Sequence, residues 1–455
     1  MNLKNILNGI TGIKAKGRAD IDINQITTDS RAVKEGSLFI AIKGFETDGH
    51  NYIEKAIENG AEVIMIQEGY DYKKLLQYEN ITLVMVPDTR LAEAICAANF
   101  YEHPEEKLKM VGVTGTKGKT TTTFMIKEIL EKQGSKVGLI GTVATYINGK
   151  KYEDSDRTTP DSIHLFEILR KMVDAETEIA VMEVSSQSLK LNRVYGIHFN
   201  VGVFTNLSED HISLKEHPDM EDYFESKLKL FDMCDIAYVN ADDLYGQRVI
   251  REAKCEVKTY GIDNEANNIA KDITITNSYA DFKEKLYGQN ERIKVGIPGR
   301  SELIPNKKGL TIMIDYAHSP KSLESILQAV AAYTRGRVIS VFGCGGDRDS
   351  AKRPMMGEIS GRVADYTIIT SDNPRTENPE EIVKEIELGI KNTKGKYECI
   401  VDRTEAIKKA IAMANKNDII VLAGKGHEPY QEINHKKYPF DERIIVNEII
   451  DGMEK

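Results

Sequence analysis

The feature that most constrains this chain is the run Lys109-Met-Val-Gly-Val-Thr114-Gly115-Thr116-Lys117-Gly118-Lys119-Thr120. Its first half is a short apolar segment that reads as a buried strand, and the glycine-rich turn after it opens a helix predicted over Thr120 to Gln133. Met125, Ile126, Ile129 and Leu130 recur there at helical spacing and are expected to form the buried face, with Gly134 as the stop. Strand, glycine turn and helix in this order form a cradle in which backbone N–H groups and the positive helix end converge on a polyphosphate. Lys119 would neutralise the outer phosphates and the Thr120 hydroxyl would reach Mg²⁺. The long form of such a loop has glycine where this chain has Val113, so the loop is the shorter Thr-Gly-Thr-x-Gly-Lys-Thr form. An incidental Gly/Thr-rich turn is the competing reading, and the strand and helix on either side weigh against it. ATP with Mg²⁺ is therefore the expected ligand, on Gly115, Thr116, Lys117, Gly118, Lys119 and Thr120.

A phosphate loop of this kind sits in a parallel sheet covered by helices, and the rest of the chain keeps that alternation. Strands are predicted at Ser37–Ile42, Val63–Gln67 and Ile81–Val86, with a helix over Tyr52–Asn59. After a polar break at Tyr101–Pro104, strands are predicted at Val137–Ile140, Ile179–Val184, Val201–Thr205 and Ile236–Val239. A third block from about Gly309 has strands predicted at Leu310–Ile314, Val338–Phe342, Tyr366–Thr370, Cys399–Val401 and Asp418–Ala423, which resembles a second doubly wound sheet. At roughly 150 residues per domain, 455 residues make three domains. Their expected spans are 1–105, 106–305 and 306–455, all α/β, with hinges at Tyr101–Pro104 and Pro305–Gly309.

Composition excludes several function classes. Sixty-one Lys and Arg against 71 Asp and Glu give a net charge of −10, which argues against nucleic acid as a partner. The five cysteines are scattered and form no CxxC pair, which fits a reducing compartment better than a disulfide framework or a zinc site. No apolar run approaches the length of a membrane span and the N-terminus lacks a signal-peptide core, so a soluble cytoplasmic protein without membrane insertion is expected.

Two strand ends behind the phosphate loop carry further chemistry. Glu183 closes one predicted strand and can hold a divalent cation through hard oxygen ligands. His211 follows the next, in Thr205-Asn206-Leu-Ser-Glu-Asp210-His211. Each alone is more often an ordinary polar strand-end residue; together with the loop they favour a metal–phosphate site.

The segments TGTKGKTTTT, EVSSQ, TNLSEDH, DYFESK, DYAHSP, GCGGDRD, KRP, SDNPR and AGKGHE occur in the order found in the Mur ligases, and the chain resembles that family from Thr28-Asp-Ser30-Arg31 to Asp441-Glu-Arg443. Within the family it is most similar to members that add the third residue of the peptidoglycan stem peptide. The resemblance implies a UDP-binding N-terminal domain, a central ATPase domain and a Rossmann-like C-terminal domain. It also implies a reaction in which ATP phosphorylates the γ-carboxylate of UDP-N-acetylmuramoyl-L-alanyl-D-glutamate and an incoming amine displaces the phosphate. The work would belong to cell-wall biogenesis, and with it to cell shape, division and the cell cycle. A monomer acting on small-molecule substrates is expected.

By the same resemblance Lys119, Thr120, Glu183 and His211 serve phosphates and metal. By the resemblance Lys227 would be the lysine that carries a CO₂-derived carbamate and ligates a second Mg²⁺; without the resemblance it reads as a surface lysine on a charged helix. Lys119, Lys227 and His211 are the catalytic candidates. Ser30 would meet the uridine nucleotide, and Thr158, Thr159, Ser185 and Arg193 the muramoyl-peptide. Asp315 and His318 would lie on the nucleotide side of the C-terminal domain. The incoming amino acid would be chosen by Asp372, Asn373, Pro374 and Arg375 with Arg353, Gly424 and Glu428. An arginine there grips a carboxylate, and meso-diaminopimelate has a second carboxylate that lysine lacks, so diaminopimelate is expected and lysine is the alternative. Folylpolyglutamate synthase shares the ATP chemistry but accounts for neither DNPR nor GKGHE.

The chain also departs from the family. Lys294-Val-Gly-Ile-Pro-Gly299 runs straight into Arg300-Ser-Glu-Leu303, as if the middle of a longer segment in the family's pattern, about 35 to 40 residues, were missing. Its loss is expected to expose apolar surface and loosen nucleotide binding. Gln187 replaces a histidine common in the family, and the stretch Ser213–His217 is longer than usual. The competing reading is thus a catalytically impaired paralogue that binds UDP-muramoyl-peptide.

Overall fold

The computed structural model describes residues 1–453 except 46, 210, 211, 214, 215, 276–279, 285–289 and 294–300. His211, part of the Ser213–His217 loop and the junction at Lys294–Arg300 fall wholly or partly outside the described residues. The chain forms two compact units, Met1–Ile273 with Phe282–Glu291, and Thr274–Asp281 with Arg292–Lys455. Pro305–Gly309 lies within the second unit.

The first unit holds two sheets. The N-terminal one has five strands in the order Lys14–Lys16, Thr82–Val86, Ala61–Gln67, Ser37–Ile40 and Gln25–Thr27. All its pairings are parallel except that of Lys14–Lys16, which runs antiparallel to Thr82–Val86. Helix Thr89–Phe100 starts where the Asp88 carboxylate accepts the Arg90 and Leu91 amides. It ends at a turn in which Glu102 and His103 both have left-handed backbone, φ 60° and 49°. Pro104 follows and opens a short 3₁₀ turn, a geometry that excludes continuation of the helix.

In the second sheet of this unit, Lys109–Thr114 lies between Phe199–Phe204 and Ile179–Glu183. Cys234–Asn240 and Glu256–Gly261 follow on one side and Val137–Ile140 on the other, all parallel. Such strands are covered on both faces and read as continuous apolar runs: every residue of Val137–Ile140 is buried. Two antiparallel strands not expected from the sequence, Ala144–Ile147 and Lys150–Asp154, extend the sheet beyond Val137–Ile140. The parallel arrangement brings the C-terminal ends of the strands, Thr114, Glu183, Phe204 and Asn240 among them, to one edge, where ligands of such sheets bind.

Helix Lys119–Lys132 corrects one expectation. It buries Thr120, Thr123, Phe124 and Lys127, whereas Met125 and Ile129 are 36% and 37% exposed. The buried set has the spacing i, i+3, i+4, i+7, a helical stripe built on small threonines, and the phosphate loop fixes which stripe faces the sheet. Lys127 lies in that stripe with its ammonium on Glu131 at 2.7 Å.

The second unit has six strands in the order Glu302–Leu303, Thr311–Asp315, Ile419–Ala423, Val338–Phe342, Tyr366–Ile369 and Tyr397–Cys399. They are parallel except for Glu302–Leu303. Apolar cores on its two faces, one around Leu323, Leu327 and Met356, the other around Ile407, Ile411 and Val446, make it doubly wound. A hairpin, Tyr430–Ile433 with Lys436–Pro439, follows the last parallel strand. Among the described residues no helix is long and apolar enough to cross a membrane, and all five cysteines are free.

Candidate active site

The phosphate loop in the first unit is shaped by two glycines. Gly118 caps helix Lys119–Lys132 with φ +83°, and a Cβ on Gly115 would lie 2.0 Å from the Thr205 hydroxyl oxygen. The loop is stitched to the end of strand Phe199–Phe204. Thr116 N donates to the Asn206 carbonyl at 2.8 Å and Lys117 N to Asn206 Oδ1 at 2.9 Å. The Thr205 hydroxyl and Asn206 Nδ2 both donate to the Lys117 carbonyl, at 2.7 and 3.0 Å. Asn240 in turn holds the Thr205 carbonyl at 2.9 Å. These bonds preset the cradle, so little ordering is needed when a phosphate arrives. Lys119 Nζ donates to the carbonyls of Gly115 and Thr116, at 2.9 and 3.1 Å.

Glu183 lies beside the loop, 1% exposed. Its carboxylate accepts the Thr142 amide at 2.8 Å and the Thr120 hydroxyl at 3.1 Å. The Thr142 hydroxyl lies 3.1 Å from both Glu183 Oε2 and Thr158 Oγ1. A Cβ on Gly141 would stand 2.4 Å from Glu183 Oε1, so only glycine leaves the carboxylate this position. A buried carboxylate ringed by threonine hydroxyls is a set of hard oxygen donors, and it fits Mg²⁺.

The expected muramoyl-peptide residues Thr158, Thr159, Ser185 and Arg193 gather next to this carboxylate. Thr159 donates its hydroxyl to the Glu183 carbonyl at 2.8 Å and accepts the Ser185 amide at 3.0 Å. Arg193 donates to the Thr159 carbonyl at 3.2 Å, and its burial, with the Arg157 charge nearby, holds its pKa below the ordinary arginine value. Lys227 is 1% exposed, its Nζ 2.9 Å from the Gly115 carbonyl and 4.6 Å from the centre of the Tyr223 ring. The Tyr223 hydroxyl lies 3.2 Å from Thr116 Oγ1. The reading of Lys227 as a surface lysine is therefore excluded. Ser30 is buried in the N-terminal block, where its carbonyl accepts Asn59 Nδ2 at 2.8 Å.

Thr142, Asn240, Tyr223 and His217 belong to this network without having been singled out from the sequence. His217 is fully buried between Asp222, at 2.6 Å, and the Ser186 hydroxyl, at 2.9 Å. Burial pushes its pKa below the ordinary histidine value, against the opposing pull of Asp222. Thr142 follows the apolar strand Val137–Ile140, the one local signal that could have found it.

In the second unit, Asp372, Asn373, Pro374 and Arg375 form the turn after strand Tyr366–Ile369, and Gly424 and Glu428 follow strand Ile419–Ala423. Arg375 has φ +50° and is clamped by the hairpin. Its amide donates to the Glu432 carbonyl at 3.0 Å, its Nε pairs with the Glu432 carboxylate at 3.0 Å, and its Nη1 donates to the Gly346 carbonyl at 2.8 Å. A Cβ on Gly424 would meet Asp372 Oδ2 at 2.7 Å, so the two loops touch where only glycine fits. Asn373 Nδ2 donates to Glu428 at 2.8 Å. Burial raises the pKa of Glu428, with Lys425 opposing. Arg353 is 2% exposed, with Nη1 on Glu385 and Nη2 on Glu377, each at 2.9 Å, so it braces the turn. Asp315 accepts the Ser301 amide at 2.7 Å, and His318 Nδ1 lies 2.8 Å from the Tyr316 carbonyl.

Residues 22–101 match the catalytic domain of the Mur ligase family, 113–306 the Mur ligase middle domain, and 299–426 the glutamate ligase domain of Mur ligases. The UDP-N-acetylmuramoyl-L-alanyl-D-glutamate–2,6-diaminopimelate ligase of Clostridium tetani is 42% identical, with all of both chains covered. Ligase 1 of that name from Clostridium acetobutylicum is 44% identical over 99% of both. A solved structure of a ligase of the same name is 28% identical and superimposes with a TM-score of 0.67, covering 100% of this chain and 99% of that one. The chain belongs to the Mur ligase family. The alignment with the Clostridium tetani protein runs to 491 positions against 455 residues here, so about 36 positions of that relative have no counterpart in this chain. That total is close to the length of the segment expected to be missing from the family's pattern.

Proposed function

We propose that this chain is an ATP-dependent ligase that joins meso-diaminopimelate to the D-glutamate γ-carboxylate of UDP-N-acetylmuramoyl-L-alanyl-D-glutamate, as a monomer in cytoplasmic peptidoglycan synthesis. Its domains are taken as 1–105 for the UDP-muramoyl substrate, 106–305 for ATP and 306–455 for the amino acid. The observation that carries the choice of amino acid is Arg375, fixed by Glu432 and Gly346 on the turn whose Asn373 holds Glu428. A fixed guanidinium with a carboxylate on the neighbouring loop suits a side chain that ends in both a carboxylate and an amine. Lysine offers only the amine.

The loop amides and Lys119 would hold the β- and γ-phosphates, for which Lys119 leaves the Gly115 and Thr116 carbonyls. Glu183 and Thr120, with His211, would hold Mg²⁺, which supplies neutralisation of the phosphate charge. Lys227, buried against the loop, would carry a carbamate that would hold a second ion. Thr158, Thr159, Ser185 and Arg193 would orient the dipeptide so that its γ-carboxylate oxygen attacks the γ-phosphorus and ADP leaves. The amine of the incoming amino acid then attacks the acyl phosphate, and the tetrahedral intermediate expels phosphate. The protein does no covalent chemistry of its own in this scheme; it positions groups and neutralises charge.

Phosphate release from ATP, measured with the UDP-dipeptide and with diaminopimelate or lysine in parallel, tests the reading. Release that needs the dipeptide and diaminopimelate together is expected. Equal release with lysine overturns the amino-acid assignment. No release from a folded protein that still binds the UDP-dipeptide would instead establish the impaired paralogue, the reading favoured by the 36 missing positions.

A further inference from the structure

Lys425 was not singled out from the sequence, yet its side chain is wholly buried in the second unit, at the centre of the residues assigned to the amino acid. Its Nζ donates to Asn373 Oδ1 at 3.0 Å and lies 3.5 Å from Glu428 and 3.6 Å from Asp372. The rings of Tyr430 and Phe440 flank it at 5.7 and 6.0 Å. Lys425 is thus the cation that Glu428 and Asp372 share, in a site where an uncompensated charge is costly.

The carboxamide of Asn373 shows what the ammonium does. Asn373 Oδ1 accepts two donors, Lys425 Nζ at 3.0 Å and the Glu432 amide at 2.9 Å. That leaves the Nδ2 end to face Glu428, to which it donates at 2.8 Å. Lys425 therefore fixes the orientation of Asn373 and, through it and directly, the carboxylate of Glu428. The Glu428 amide also donates to the Lys425 carbonyl at 3.0 Å, so donor and target share one tight turn.

We infer that Lys425 is a positioning residue for recognition of the incoming amino acid: its buried ammonium holds the Asn373 carboxamide and the Glu428 carboxylate in place, so that Glu428 can receive an amine of the substrate. This rests on the amino-acid assignment proposed above. A lysine whose ammonium is taken up by Asn373, Glu428 and Asp372 acts on the substrate only through them, and not as a contact of its own for a substrate carboxylate.

The test is steady-state kinetics of Lys425→Met and Lys425→Arg in the full chain, with thermal unfolding of each. Lys425→Met is expected to raise KM for diaminopimelate about tenfold or more, with KM for ATP and for the UDP-dipeptide within about twofold of the parent. Lys425→Arg, which keeps the charge, is expected to recover part of that loss. A KM for diaminopimelate unchanged in Lys425→Met overturns the inference. So does a parallel rise in all three KM values together with a lowered unfolding temperature, because that is what a purely structural lysine would give. Failure of the amino-acid assignment itself would show in the parent protein, as absence of diaminopimelate-dependent turnover, before either variant is compared.

Discussion

Thr120 and Glu183 meet at 3.1 Å, hydroxyl to carboxylate, and so tie the first turn of the phosphate-loop helix to the end of the neighbouring parallel strand. Residues 63 apart in sequence are joined at one strand edge because Lys109–Thr114 and Ile179–Glu183 pair in register, with Glu183 opposite Val113. The metal–phosphate reading depends on this contact. Glu183→Gln keeps the shape and removes the charge, and it is expected to lower kcat by about 10²- to 10³-fold. Its unfolding temperature and affinity for the UDP-dipeptide, measured by calorimetry, should stay near the parent values. A variant with full turnover would remove Glu183 from the site.

Arg375 should discriminate between amino acids. In Arg375→Ala the KM for diaminopimelate is expected to rise about 10²-fold through loss of a charge-assisted contact, while lysine, with no distal carboxylate to lose, changes little. The ratio of kcat/KM for the two amino acids reports this directly. An unchanged ratio would place the selectivity elsewhere.

Glu93 supplies a pH dependence of stability. It is 5% exposed on helix Thr89–Phe100, and burial, with the Asp161 charge nearby, pushes its carboxyl up to about 7 from 4.5. The folded state thus keeps a proton that the unfolded chain releases near pH 4.5. Its contribution is full below that pH, declines as pH rises, and is lost above about 7. Glu93→Gln mimics the protonated form, so it should match the parent at pH 4.5 and exceed it at pH 8 by roughly 1 to 3 kcal/mol. Thermal unfolding at both pH values checks this; equal differences at the two would contradict it.

The wholly buried pair of Arg403 and Glu442, 2.8 Å apart, anchors the strand ends that carry the proposed amino-acid site. Arg403 also donates to the carbonyls of Ser371 and Ala423, at 3.3 and 3.0 Å. Arg403→Met strands the Glu442 carboxylate and is expected to cost about 3 to 5 kcal/mol. Arg403→Met with Glu442→Leu should recover much of that in denaturant unfolding. If the double variant is no more stable than the single one, the cost lies in the carbonyl contacts.

The legible parts of the site were those encoded locally. Strand, glycine turn and helix between Lys109 and Gln133 announce a phosphate cradle because each step depends only on neighbours in the chain. DNPR and GKGHE could be placed through family resemblance. What stayed hidden depends on pairing between distant segments. No pattern within the helix says that Met125 faces out and Lys127 in, since the phosphate loop docked on the sheet fixes the stripe. Nothing near Arg353 announces that Glu377 and Glu385 will pair with it, and nothing near Lys425 or His217 that they will be buried among carboxylates and hydroxyls.

The most direct test of the central claim is mass spectrometry of the nucleotide product after incubation with ATP, Mg²⁺, UDP-N-acetylmuramoyl-L-alanyl-D-glutamate and an equimolar mixture of diaminopimelate and lysine. The predicted result is a single new species heavier than the UDP-dipeptide by diaminopimelate less one water. A lysine adduct as the main product, or an unmodified UDP-dipeptide, would contradict it.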